Sequence, residues 1–220
     1  MAASEPAAGS LAQRLRTQTA GAHREAERTP LMQALIAGRA GRALYGRLLQ
    51  QLLLVYEALE PRVAARGQHP WLAGAWSPAL ARRQALRADL TAFGLGPAAP
   101  LPATAAYVER LAAIDGASPQ PHARLLAHVY VRHLGDLSGG QILQRVLARA
   151  FAGHGSATPA AGLSFYDFGS AEQRDALAQR LRTALAALPA EGAEADAAVD
   201  EALWAFEQHL RLFDALGAPA

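Results

Sequence analysis

One histidine is placed where its imidazole could bind a metal. His23 lies in a stretch of helical pattern, and Glu27 follows it one turn later. Residues at positions i and i+4 share a helix face, so this carboxylate could hold the second ring nitrogen of a metal-bound imidazole. The same spacing is more often that of an exposed surface pair. The pair alone therefore leaves both interpretations open.

Residues 119–151 combine a strong helical pattern with three glycines near the middle of the segment. A glycine inside a helix costs about 1 kcal/mol relative to alanine, so Gly135, Gly139 and Gly140 need another reason to be there. Gly135 and Gly139 share a face on which a flat ligand could lie, although close helix packing would favour the same residues. Asp136 favours a site, because a carboxylate in an apolar stretch needs a partner or ordered water.

The rest of the sequence predicts a single helical domain that would position these residues. The 220 residues are 51% hydrophobic and rich in alanine, leucine and arginine, which are the strongest helix formers. Apolar residues recur at helical spacing, as in Leu48, Leu52 and Tyr56, and no segment shows a convincing strand pattern. We expect an all-α fold of about seven or eight helices, with the domain at residues 11–217 and a disordered tail at residues 1–10.

Three dipeptides mark expected helix starts. Thr29 precedes Pro30, Ser77 precedes Pro78, and Ser118 precedes Pro119. In each pair a good capping residue stands before a proline, which is favoured at the first position of a helix. The sequence therefore predicts that helices begin at Pro30, at Pro78 and at Pro119.

The composition argues against several classes of function. Without cysteine, the chain has no disulfide, thiolate nucleophile or cysteine-bound metal cluster. The net charge is only +2 and the arginines are scattered, so we expect no nucleic-acid surface. The N-terminus lacks the features of a signal peptide, and the longest apolar stretch is broken by polar residues. We therefore expect a cytoplasmic protein that does not enter a membrane.

The sequence HVYVRHLGDLSGGQIL at residues 128–143 closely resembles the signature helix of heme oxygenases. Residues 15–32 resemble the proximal helix of that family. GLSFYDF at residues 162–168 and AFEQHLRLF at residues 205–213 resemble further family segments. The resemblance extends over residues 11–216, and it implies an all-α fold with heme between a proximal helix and a kinked distal helix.

The resemblance also implies roles for individual residues. His23 would be the axial iron ligand and Glu27 would orient it. Gly135 and Gly139 would lie over the distal face of the heme, and Asp136 would hold water molecules near bound O2. Six further residues would contact the heme: Arg16, Met32, Tyr130, Arg132, Arg182 and Phe206, the last as part of the distal wall.

Anchoring of the heme propionates would decide which meso carbon is oxidised. The resemblance places Arg16, Tyr130 and Arg182 at the propionates, and we expect mainly the α isomer of biliverdin. Some relatives carry a second basic residue where this chain has Ala178. His209 stands where many relatives have an amide; it could join the distal water network, but an inert polar contact is slightly preferred.

The implied activity is cleavage of heme to biliverdin, CO and ferrous iron with O2 and a reductant. No dinucleotide or flavin fingerprint is present, so a ferredoxin or flavin reductase would supply electrons, and a bilin-using photoreceptor could receive the product. A heme carrier or sensor is the first alternative, although it has no use for Asp136. A thiaminase-like hydrolase or a di-iron oxidase on the same scaffold is the second. It is disfavoured because cysteine and a Glu-x-x-His pair are both missing.

Overall fold

A computed structural model describes residues 9–152 and 161–217, and within them the protein is all-α, with no strand. Two short 3-10 turns, Pro78–Leu80 and Ser164–Tyr166, accompany the α-helices. Residues 1–8 of the expected N-terminal tail lie outside the described residues, while Ser10 is the N-cap of the first helix. In chain order the helices are α1 (Leu11–Arg28), α2 (Pro30–Ile36), α3 (Arg42–Ala65), α4 (Arg83–Ala92), α5 (Pro102–Ala113), α6 (Pro121–Ser138), α7 (Gly140–Phe151), α8 (Ala171–Ala186) and α9 (Ala193–Gly217).

The described residues thus contain nine α-helices, more than the seven or eight expected, because two helical stretches are divided at single residues. Thr29 separates α1 from α2, and its hydroxyl accepts a hydrogen bond from the amide of Met32 at 3.4 Å. The predicted start at Pro30 is confirmed. Gly139 separates α6 from α7 while its amide still donates to the carbonyl of Gly135 at 2.9 Å. The expected kinked helix is therefore two helices that share Gly139.

The helix start predicted at Pro119 is wrong. Helix α6 begins at Pro121, after Gln120, whose backbone adopts the left-handed conformation with φ 48°. The hydroxyl of Ser118 donates to the carbonyl of Ala113 at 2.6 Å and so closes the turn that follows α5. Because this hydroxyl is used by the preceding helix, it does not cap the next one.

Two apolar clusters form the interior of the described part of the chain. One includes Leu126 of α6 and Ala202 of α9, and the other includes Leu49 of α3 and Leu147 of α7. Helix α9 packs against α1, α2, α5 and α6, so it spans both clusters. Burial of these apolar faces supplies most of the favourable free energy of folding. None of the described helices combines the length and the apolar character needed to cross a bilayer.

Helix α4 positions the segment that begins at residue 161. The buried carboxylate of Asp89 accepts hydrogen bonds from the amides of Ser164 and Phe165, at 2.7 Å and 2.8 Å. These bonds satisfy two amide groups of a turn that would otherwise be buried without partners. The next residue, Tyr166, is thereby held against Gly140 at the start of α7.

Candidate functional site

A cleft lies between the two apolar clusters and encloses about 810 Å³ of space, including its open mouth. Its walls come from both clusters, for example Val131 from the first and Leu48 from the second. The structure brings eight of the eleven predicted site residues into this cleft: His23, Glu27, Met32, Arg132, Gly135, Asp136, Gly139 and Phe206.

His23 presents its imidazole to the cleft from α1. The side chain is 54% exposed, and its ring meets the ring of Phe206 edge-on, with 6.1 Å between centroids. Its Nδ1 lies 3.7 Å from a carboxylate oxygen of Glu27, which is longer than a hydrogen bond. The predicted i, i+4 arrangement is thus present as a loose pair, and the Nε2 side of the ring has no partner among the described residues.

Two of the three glycines face open space. A Cβ atom built on Gly135 would meet no atom within 4 Å, and one on Gly139 would meet only the carbonyl oxygen of Gly135, at 3.5 Å. Close packing between helices therefore does not explain these two residues. Gly140 is different, because its Cβ would lie 2.5 Å from the ring of Tyr166. Gly140 serves packing, whereas Gly135 and Gly139 leave the wall of the cleft bare.

The carboxylate of Asp136 is buried at the edge of the cleft between two donors. Tyr56 of α3 donates a hydrogen bond to Oδ2, and Nη2 of Arg132 donates to Oδ1 at 3.3 Å. Burial raises the pKa of Asp136, and the positive charge of Arg132 opposes that rise. Burial also raises the pKa of Tyr56 well above its usual value, so its hydroxyl stays protonated and donates.

Arg132 connects this carboxylate to α9. Its Nη1 lies 3.1 Å from Nε2 of His209, and its guanidinium lies over the ring of Tyr56 at 5.3 Å. His209 is buried and also lines the cleft. An inert polar contact was slightly preferred for His209. In the structure His209 is instead hydrogen-bonded to Arg132, which also binds Asp136.

The three residues expected at the propionates do not line the cleft itself. The hydroxyl of Tyr130 of α6 lies 3.0 Å from the hydroxyl of Thr19 of α1, oxygen to oxygen. Burial raises the pKa of Tyr130, and the bond with Thr19 and the charge of Arg16 oppose that rise. Arg182 of α8 donates to the hydroxyl of Ser138 at 3.5 Å. Ala178 is buried in the first apolar cluster, so a charged side chain there would need a different local packing.

Sequence reasoning did not identify Tyr56 and Tyr166 as parts of the site. Tyr56 stood in an apolar stripe of α3 together with leucines, and this pattern indicates only a buried face. Tyr166 belongs to a short turn whose position depends on Asp89, far away in the sequence. A local pattern carries no signal for either placement.

Comparison with known proteins shows the family to which this helical fold belongs. The sequence profile of the heme oxygenase family matches residues 9–215. Heme oxygenase 1 of Synechocystis is 33% identical over 210 residues, which are 94% of this chain and 84% of that protein. Heme oxygenase 1 of Rattus norvegicus is 34% identical over 94% of this chain and 72% of its own length.

Solved structures show the same likeness. Heme oxygenase-1 of Synechocystis, determined in complex with heme, superposes with a TM-score of 0.81 over 94% of this chain and 92% of that chain, at 33% identity. The heme oxygenase of Leptospira interrogans also superposes with a TM-score of 0.81, over 94% of this chain and 99% of its own, at 34% identity. The chain belongs to the heme oxygenase family, whose members are oxygenases.

Proposed function

We propose that this protein cleaves heme to biliverdin, CO and ferrous iron, with O2 and electrons from an outside donor. The observation that carries the proposal is the cleft itself. It has an exposed imidazole from α1, a helix segment bare of side chains at Gly135 and Gly139, and a buried carboxylate at Asp136. These features fit a flat, mostly apolar macrocycle that needs one axial ligand and a polar group near its metal.

His23 is the axial ligand in this proposal. Its Nδ1 faces the carboxylate of Glu27, so Nε2 is the nitrogen left to bind iron. A carboxylate on the second ring nitrogen fixes the orientation of a ligating imidazole and raises its basicity. The distance of 3.7 Å would have to shorten on binding for this hydrogen bond to form.

Gly135 and Gly139 would leave room for the macrocycle and for O2 in this proposal, because neither carries a side chain into the cleft. Bound heme would supply the redox-active iron and is itself the substrate. Asp136 would hold ordered water near the iron, using the lone pairs that Tyr56 and Arg132 do not occupy. Water held by a fixed carboxylate delivers protons without a strong acid in direct contact with O2.

Orientation of the macrocycle in its plane depends on charges at the mouth of the cleft. We assign this task to Arg182, Arg16 and Tyr130, whose donors suit the two propionates. The proposed product is mainly the α isomer of biliverdin. A ferredoxin or a flavin reductase of the cytoplasm would provide the electrons, and a bilin-using photoreceptor is one acceptor for the product.

The decisive experiment is aerobic turnover of the purified protein with one equivalent of hemin and a reductant. We expect the Soret band to bleach and a bilin to appear, identified by chromatography and mass spectrometry, while CO is trapped by ferrous myoglobin. A heme carrier or sensor would instead keep an unbleached Soret band. Catalase in the assay removes free peroxide, so bleaching that disappears on its addition would also contradict the proposal.

A further inference from the structure

We propose that Met32 is an oxidation site: hydrogen peroxide converts its thioether to the sulfoxide inside the cleft, and the added oxygen lowers the affinity of the cleft for its ligand. The side chain of Met32 lines the cleft and is half-buried. This inference rests on the proposed function, because it takes a porphyrin as the ligand and the reduction of O2 as the source of peroxide.

Among the described residues, the cleft offers peroxide one soft, readily oxidised side chain. The chain has no cysteine, and its other methionine is Met1, which lies outside the described residues. None of the three tryptophans of the chain lines the cleft. Reduction of O2 by two electrons without opening of the ring releases hydrogen peroxide. Peroxide released in the cleft therefore meets the thioether of Met32 as its most reactive target.

The reaction needs only peroxide and the thioether. A sulfur lone pair attacks one peroxide oxygen, so an S–O bond forms while the O–O bond breaks. The sulfur loses two electrons, and the other oxygen leaves as water with both protons of the peroxide. An apolar side chain thereby becomes a polar one that accepts hydrogen bonds.

The backbone of Met32 is fixed, so the modified side chain stays in the cleft. Its amide donates to the hydroxyl of Thr29, and its neighbours Leu31 and Leu35 are fully buried. On the other side α9 packs closely, since a Cβ atom on Gly217 would lie 2.8 Å from the amide nitrogen of Leu31. Helix α2 therefore has no room to shift and carry the sulfoxide out of the wall.

The wall that Met32 shares is apolar. Leu48, Leu52, Leu143 and Phe213 line the same cleft and, like Met32, belong to the second apolar cluster or pack against it. None of these side chains can donate a hydrogen bond to a sulfoxide oxygen. A porphyrin that covers the oxygen would remove it from water without giving it a partner, and binding is weakened by that loss.

The test treats the ligand-free, full-length protein with hydrogen peroxide and then removes the peroxide by desalting. Trypsin cuts after Arg28 and Arg39 and releases residues 29–39, in which Met32 is the only methionine. We expect this peptide to gain one oxygen atom under conditions that oxidise free methionine. The affinity for zinc protoporphyrin, which binds without turnover, should fall about ten-fold. Methionine sulfoxide reductases should reverse both changes.

Met32→Leu is the matched control, because leucine keeps a similar apolar volume without the sulfur. This variant should bind zinc protoporphyrin nearly as the wild type does and should keep that affinity after peroxide. Zinc protoporphyrin bound to the wild type in the dark should also slow the oxidation of Met32 several-fold, because it covers the thioether.

Three results would overturn the role of Met32: a peptide that stays unmodified, an unchanged affinity of the oxidised wild type, or an equal loss of affinity in Met32→Leu. A bound porphyrin that gives no protection would overturn it as well, since the ligand would then lie away from the thioether. Failure of the untreated wild type to make bilin would instead overturn the proposed function, while the peptide mass and the porphyrin affinity would still test Met32.

Discussion

Tyr56 of α3 donates a hydrogen bond to Asp136 of α6, a residue 80 positions away in the sequence. Both side chains are buried, and the bond ties together two helices that line the cleft. A buried carboxylate that loses a donor bears the cost of its own desolvation. The bond therefore contributes to stability and to the position of Asp136.

Tyr56→Phe should lower the free energy of unfolding by about 1–3 kcal/mol, because a buried carboxylate loses a donor. The pKa of Asp136 should rise further, since the bond from Tyr56 lowers it at present. Biliverdin formation should fall while heme still binds. Urea titration measures the loss of stability, and single-turnover spectra measure the loss of biliverdin formation.

Tyr45→Phe is the matched control, because Tyr45 is also buried in α3 but its hydroxyl has no partner among the described residues. Removing an unsatisfied hydroxyl should leave stability unchanged or raise it by up to about 1 kcal/mol. Equal losses of stability in the two variants would show that the bond from Tyr56 to Asp136 contributes nothing.

Gly135→Ala should separate stability from ligand binding. The new methyl group meets no atom within 4 Å, so the helix should gain about 0.5–1 kcal/mol from the better helix former. Heme affinity and turnover should both fall, because the methyl group enters the cleft. Gly140→Ala is the control: its methyl group would overlap Tyr166, so it should lose about 1–3 kcal/mol. If Gly135→Ala kept the heme affinity of the wild type, the heme would not lie against Gly135.

His23→Ala should abolish the normal spectrum of the heme complex and most of the activity. Added imidazole should restore the spectrum by filling the space that the side chain vacates. His122→Ala is a useful comparison, since His122 stacks on His69 and lies outside the cleft. An unaltered spectrum of His23→Ala without imidazole would rule out the axial assignment.

Arg182→Glu should change the product more than the rate. In the proposed orientation of the heme, the substitution would place a negative charge beside a propionate, so the heme should rotate and the biliverdin should become a mixture of isomers. Chromatographic separation of the isomers measures this effect. Arg149→Glu, an exposed change of equal charge on α7, should leave the isomer ratio unaltered. The same ratio in Arg182→Glu and the wild type would exclude Arg182 from propionate anchoring.

His133 should make the protein less stable in acid. Burial lowers the pKa of His133 to about 3, so the folded protein keeps the ring neutral where the unfolded chain binds a proton. Stability is therefore lost as pH falls from 6.5 towards 3, by about 2 kcal/mol between pH 7 and pH 5. His133→Gln lacks this loss, so the stability difference between wild type and variant should shrink by that amount. Urea titrations at both values measure it, and a constant difference would contradict the assignment.

The helical fold and the unusual position of Gly135 in α6 could be predicted because each follows from local properties. Helical spacing and composition indicate an all-α domain, and Gly135 is conspicuous because it violates helix propensity. The bonds to Asp136 could not be predicted in the same way. Tyr56 and His209 reach this site from α3 and α9, and only packing of the whole domain brings them together. The wrong helix start at Pro119 has a related cause, since Ser118 bonds backward to α5.

The position of the cleft between two apolar clusters has a thermodynamic consequence. A macrocycle seated there would touch Val131 on one side and Leu48 on the other, and would complete an interior that the polypeptide leaves divided. A ligand that binds only the native state raises the melting temperature in proportion to the logarithm of its free concentration. Substrate supply would thus protect the enzyme from unfolding and proteolysis, and each turnover that opens the ring would withdraw that protection.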